Sequence, residues 1–223
     1  MNWSNISVWQ YQQLMPIITK PKKEWDSIDI DCKILGIIHG MTDNEIDSLS
    51  VEKFQELKKD LAFLNEPISG KPVKSITIGY MRYKFIYDIR KLNAARYIES
   101  KVYSEDLVNN LHKLAASMVK IEKKTLFGWK EIEYDAVHHP DYAEDMLSAK
   151  FVDVYHSIVF FYQVYRNWIE ISQGYLINEM MKKGMGAKQA LEVVATLCDT
   201  LDGSIAPKLL PNMKVLLPKK PTI

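Results

Sequence analysis

A chain of 223 residues that is 47% hydrophobic and 11% aromatic carries ample apolar side chain for a core, which excludes a disordered segment as its main body. Lys and Arg number 29 against 28 Asp and Glu, a formal charge of +1, so no global field steers the chain to nucleic acid or to an acidic membrane. Cys32 and Cys198 both fall on apolar faces of predicted helices as small buried hydrophobes, which argues against a disulfide framework, and no run approaches the ~20 apolar residues of a membrane helix.

Ser7 predicts the cap of a short helix carrying Val8, Tyr11 and Leu14, with Pro16 ending or kinking it near Met15. From Glu24 to His39 the residues Trp25, Ile28, Cys32, Leu35 and Ile38 recur three or four apart, one apolar stripe of a helix that Gly40 stops. Thr42 with Glu45 reads as a capping box, and Ser50 caps a helix burying Phe54, Leu57, Leu61 and Leu64. Residues 1–66 are thereby a first helical unit. Residues 67–90 form a Pro- and Gly-rich linker and a β-hairpin, with strands near 74–79 and 82–88 around Gly79.

A second helical unit spans 91–203. It holds a helix from Leu92 to Val102, another capped by Ser104, and an insertion at 120–138 that reads as a second small hairpin around Gly128. From Ser148 to about Lys183 no proline intervenes, and the run Ile158 to Ile169 is apolar on every side, which predicts a long helix enclosed by others as a central post. Gly184 and Gly186 turn the chain into a last helix, Ala187 to Leu201, and residues 204–223 form a Pro-containing tail. No basic region followed by an apolar run opens the chain, so no secretory signal is expected.

Residues 43–64 and 141–161 echo one another. With Glu52 left unpaired, identical columns include Asp43/Asp141, Leu49/Leu147, Ser50/Ser148, Phe54/Phe151 and Phe63/Phe160. What recurs is a helix start and an apolar face, so the expectation is a mainly α fold of internally duplicated helical units around a long central C-terminal helix, with one or two β-hairpins. Phe54, Phe63, Phe151 and Phe160 are the expected core of the repeat.

Nothing in the residues spells out catalysis. His138, His139, Asp141 and Glu144 are the densest candidate metal ligands, but adjacent histidines point apart and the two acids already serve a helix start. Gly184 to Gln189 lacks the third glycine and the preceding strand of a dinucleotide loop, and Ser69-Gly70-Lys71 lacks the upstream glycine of a phosphate loop. The lysine clusters are interspersed with acids and read as solvated faces rather than a nucleic-acid surface. No enzyme activity, cofactor or metal is expected.

The segments ISVWQYQQL and DIDCKILGIIHGMTDNEIDSLSVEKFQELKKDLAFL resemble the helical parts of tail-assembly chaperones of long-tailed bacteriophages: a helix like CKILGIIHG, an acidic turn like MTDNEIDSL, then a helix opening on an aromatic as at Phe54. The runs RYKFIYDIRKLNAARYI, VNNLHKLAASMVK and AEDMLSAKFVDVYHSIVFFY resemble phage proteins as well, so the likeness covers most of Ile6 to Tyr165. It implies a non-catalytic helper in the host cytoplasm that binds tape-measure or tail-tube subunits. Self-association is expected as well, and neither nucleic acid nor membrane is expected as a partner. A permanent virion component, such as a head-to-tail connector or tail protein, is the alternative. Apolar residues outside the helical core, Tyr80, Met81 and Tyr83 in the hairpin and Leu209, Leu210 and Val215 in the tail, are the expected contacts with partners.

Overall fold

The computed structural model describes residues 1–202, and its first long helix begins where the sequence places a cap. Ser7 accepts from the amide of Gln10, and the Gln10 side chain accepts from the Ser7 amide, opening α1 (Val8–Thr19). Pro16 does not end this helix. The buried residues Val8, Tyr11, Leu14 and Met15 precede it and Ile17 packs against the core beyond it, while the Thr19 hydroxyl and the Lys20 amide donate to the carbonyls of Met15 and Pro16, so the last turn is held on both sides of the proline. Asp26, rather than Glu24, opens α2 (Ser27–His39), and Gly40 closes it at φ 66°, a left-handed position that suits glycine. The face of α2 that packs is Ile34, Leu35 and Ile38; the predicted stripe fails at Ile28, which is exposed.

Thr42 and Glu45 form the expected capping box of α3 (Asp43–Asp47), and Ser50 caps α4 (Val51–Lys58). A 3-10 turn over Lys59–Asn65 then buries Phe63 edge-on against Trp3. The loop that follows lies along a later helix: a Cβ at Gly70 would come within 2.5 Å of the His156 ring, so only glycine allows this approach.

Both predicted hairpins exist, but they are one sheet. β1 (Ser75–Ile78) and β2 (Met81–Phe85) turn at Gly79, while β3 (Val119–Thr125) and β4 (Gly128–Ile132) turn at Leu126 and Phe127. The order is β1-β2-β3-β4, antiparallel throughout, with Tyr83 opposite Ile121 and Ile121 opposite Ile132. Between the hairpins lie α5 (Ala94–Tyr103), capped by Asn93, and α6 (Leu107–Ser117). Asp106, not Ser104, caps α6; the Ser104 hydroxyl instead donates to the carbonyl of Lys101 at the end of α5.

The chain ends its described part with α7 (His139–Leu147), α8 (Phe151–Lys182) and α9 (Ala187–Asp202). The whole is mainly helical with one small four-stranded sheet. Its hydrophobic core is one cluster drawing on both predicted helical units. Phe151 stacks on Tyr11 with ring centroids 3.8 Å apart, and its amide donates to the carbonyl of Ile6 at 2.8 Å.

The two echoing segments share a short helix, a turn and a second helix start, and differ beyond that. Ser50 caps α4, whereas its counterpart Ser148 donates to the Asp145 carbonyl and closes α7, leaving α8 without a side-chain cap. Phe151 is fully buried and Phe54 half-buried. Phe63 is buried in its 3-10 turn, but Phe160, expected as a core residue, is 36% exposed on the open side of α8.

The expected central post also needs correction. Ile158, Phe161, Tyr162 and Tyr165 are buried, but beyond Tyr165 the helix leaves the core and packs on α9. An all-round apolar run can mean enclosure on one side and an unpartnered face on the other.

Candidate functional site

The distal half of α8 and the whole of α9 form a helical arm. Gly184, at φ 90°, makes the turn, and Ala190 and Val194, one helical turn apart and both buried, hold α9 against α8. The other side of α8 carries Val164, Trp168, Ile171 and Tyr175, spaced four, three and four residues apart. That is the seam spacing by which one helix packs along another. Trp168 is 44% exposed, Ile171 74% and Tyr175 64%, so the seam is open. Ion pairs Arg166–Glu170 at 3.0 Å and Lys182–Glu179 at 2.8 Å lie within the same helix and leave the stripe itself uncharged.

At the base of the arm a cavity of about 340 Å³ opens between α8 and the segment after β2, lined by Tyr87, Asp88, Arg90, Val164, Tyr165 and Trp168. The wall after β2 is fixed from behind: the Tyr87 hydroxyl donates to the Val73 carbonyl, the Val73 amide donates to the Ser157 hydroxyl, and the Tyr87 ring meets Phe160 edge-on. Arg90 grips Asp88 through two hydrogen bonds of 2.8 and 2.9 Å, which holds that carboxyl down at about 2. An apolar floor with a paired charge at its rim suits an apolar side chain of a partner rather than a reacting group.

Of the residues expected at an interface, Tyr80 is exposed in the β1–β2 turn, and Met81 is half-buried against the core. Tyr83 is not a surface residue. It lies on the inward face of β2, has no exposed surface, and its hydroxyl donates to the Asp145 carboxylate; burial first and that carboxylate next raise its pKa. Strand alternation decides this: residues in β2 point in and out by turns, and Tyr83 shares its face with Ile121. Leu209, Leu210 and Val215 lie outside the described residues, as does the side chain of Cys198. Sequence reasoning missed Trp168, Ile171 and Tyr175 as an exposed seam, and it missed Leu126 and Phe127 at the tip of the second hairpin. The signals were present: a four-three spacing on one helix, and two large apolar residues where a turn favours Asn, Asp or Gly.

The candidate chemistry resolves into structural roles. His138 is exposed beside Asp141, while His139 is buried, 3.1 Å from the Ser117 hydroxyl and 3.0 Å from the Lys113 carbonyl, its ring stacked on Tyr103. Ser117, His139 and Glu99 do meet, but both Ser117 and Glu99 approach the same Nε2 nitrogen, and Ser117 is wholly buried. A serine nucleophile needs its acid partner on the opposite ring nitrogen and an open hydroxyl, so this is an internal network. Burial, with Asp47 and other acids nearby, pushes the Cys32 thiol up, away from a reactive thiolate. Among the described residues no group of three or more His, Cys, Asp or Glu is placed to hold a metal ion, and none of their helices is long and apolar enough to cross a membrane. No protein-family model, curated protein or solved structure matches this chain.

Proposed function

We propose that this chain is a non-catalytic binding protein for an extended helical partner, a chaperone of phage tail assembly that engages tape-measure or tail-tube subunits in the host cytoplasm. The observation that carries the reading is the open seam of Trp168, Ile171 and Tyr175 on a helical arm, spaced for a second helix and uncharged along its length. The likeness of the first helical unit to tail-assembly chaperones, with the likeness of later runs to phage proteins, suggests the class of partner. A second copy of the chain uses the same seam when no partner is present, which makes self-association part of the reading. The echo between 43–64 and 141–161 enters as a duplicated helix-turn-helix start whose later turns have diverged, supported by the common start and opposed by the different tasks of Ser50 and Ser148.

The test is a triple substitution, Trp168→Ser, Ile171→Ser and Tyr175→Ser, in the full chain. Circular dichroism and the melting temperature should stay close to the parent, while self-association and capture of tail proteins from infected cells should fall at least tenfold. Unchanged association in a folded variant sinks the reading. The alternative, a permanent virion part, is favoured by the four-stranded sheet, which goes beyond the helical segments that carry the likeness. Mass spectrometry of purified particles separates the two, because a stoichiometric virion protein is present there and a departing chaperone is absent.

A further inference from the structure

The most exposed large hydrophobic residues of the described chain sit side by side at the tip of the β3–β4 hairpin: Leu126 is 98% exposed and Phe127 100%. The turn is closed without them, by the Thr125 hydroxyl donating to the Gly128 carbonyl at 2.9 Å and by Gly128 at φ 119°, so neither side chain has a local task. Residues at such a turn are normally polar or glycine, and this hairpin tolerates two apolar side chains in water instead.

The charges behind the tip are equally unusual. Further down the sheet the cations are paired: Lys84 and Arg82 both hold Glu122, and Lys120 holds Glu131 at 2.8 Å. Nearer the tip Lys123, Lys124 and Lys130 are exposed and form no ion pair among the described residues. Lys123 and Lys130 face each other directly across the ladder, a like-charge arrangement that weakens a hairpin. They lie on the face shared with Ile121 and Ile132, whereas Lys124 lies on the other face opposite Trp129. Cations therefore ring the tip on both sides of the ribbon. Tyr80, 75% exposed, lies alongside, its carbonyl accepting from the Lys124 amide.

We propose that this hairpin tip is a docking point for an anionic lipid bilayer. Leu126 and Phe127 enter the boundary between headgroups and acyl chains. Lys123, Lys124 and Lys130 meet the headgroup phosphates, and Trp129 and Tyr80 lie at headgroup depth, where aromatic rings with a polar edge are favoured. A convex apolar tip collared by cations on both faces matches a flat anionic layer approached end-on; a protein pocket would have to supply acids on both sides of the ribbon at once. A net charge of +1 conceals this site, since the surplus is local to one end of one sheet. The site is separate from the arm, and its test is independent of the phage reading.

The full chain is sedimented with vesicles of phosphatidylcholine alone and of phosphatidylcholine with phosphatidylglycerol. Binding should require phosphatidylglycerol, and it should weaken as salt is raised. Leu126→Ser with Phe127→Ser should lower it at least tenfold with the melting temperature unchanged, because both side chains are outside the core. Lys123→Gln, Lys124→Gln and Lys130→Gln should each lower it about fivefold at low salt. The proposal is overturned if the parent chain ignores phosphatidylglycerol vesicles, or if the Leu126/Phe127 variant still binds them. Loss of self-association by that variant, without vesicle binding by the parent, would make the tip a protein contact and equally overturn it.

Discussion

The hydroxyl of Tyr83 in β2 donates a hydrogen bond to the carboxylate of Asp145 in α7, from a ring with no exposed surface. This one contact ties the sheet to the helical layer, and it makes a framework residue of a tyrosine expected at an interface. Tyr83→Phe removes the donor and leaves Asp145 without it, an expected loss of about 1–2 kcal/mol. Tyr83→Ala should cost about 3–5 kcal/mol. Urea denaturation measures both, and a loss under about 0.5 kcal/mol for the alanine variant would return the ring to the surface.

Phe151 and Phe160 test the echo and the packing together. Phe151 is fully buried, stacked on Tyr11 and close to Trp3, so Phe151→Ala should cost about 3–5 kcal/mol. Phe160 meets Tyr87 edge-on and is 36% exposed, so Phe160→Ala should cost about 1 kcal/mol. Equal losses would contradict the asymmetry of α8.

The adjacent histidines should separate cleanly. His138→Ala touches an exposed pair with Asp141 and should leave stability within about 0.5 kcal/mol. His139→Ala opens a cavity beside Tyr103 and removes a partner of Ser117, for an expected loss of about 2–3 kcal/mol. A double replacement is therefore not silent, because His139, unlike His138, is buried. Thermal melts of the two single variants decide the point.

Stability should fall in mild acid. Burial first, then Lys113 and His139, push His112 from 6.5 down to about 4, and burial lowers His156 as well. The unfolded chain binds these protons at higher pH than the folded one, so the contribution is fully present above about pH 6.5 and is lost as pH falls towards 4. For His112, which is partly solvated, the loss should be about 2 kcal/mol. Denaturation curves between pH 7 and 4 should show it, and His112→Gln should flatten the slope; an unchanged slope would place the acid sensitivity elsewhere.

Local signals were legible in the chain. The caps at Ser7, Thr42 and Ser50, the left-handed stop at Gly40, the hairpin turns at Gly79 and around Gly128, and the turn into α9 all form as read, because each is settled by hydrogen bonds and dihedral limits within a few residues. The length of α8 was legible for the same reason, since nothing in it breaks the backbone ladder.

What only the tertiary structure decided is which face of each element finds a partner. Pro16 stays inside α1 because the helix packs on the core both before it, at Leu14 and Met15, and after it, at Ile17, and the two hairpins become one sheet because β2 pairs with β3 across the intervening α5 and α6. Tyr83 is internal, while Phe160, Trp168 and Ile171 are not, although all four are large and apolar. Hydrophobic burial has no direction of its own, so a sequence names the side chains that would gain from leaving water, and the assembled core has room for only some of them. Those left over, on the arm and at the hairpin tip, are where the two proposed interfaces lie.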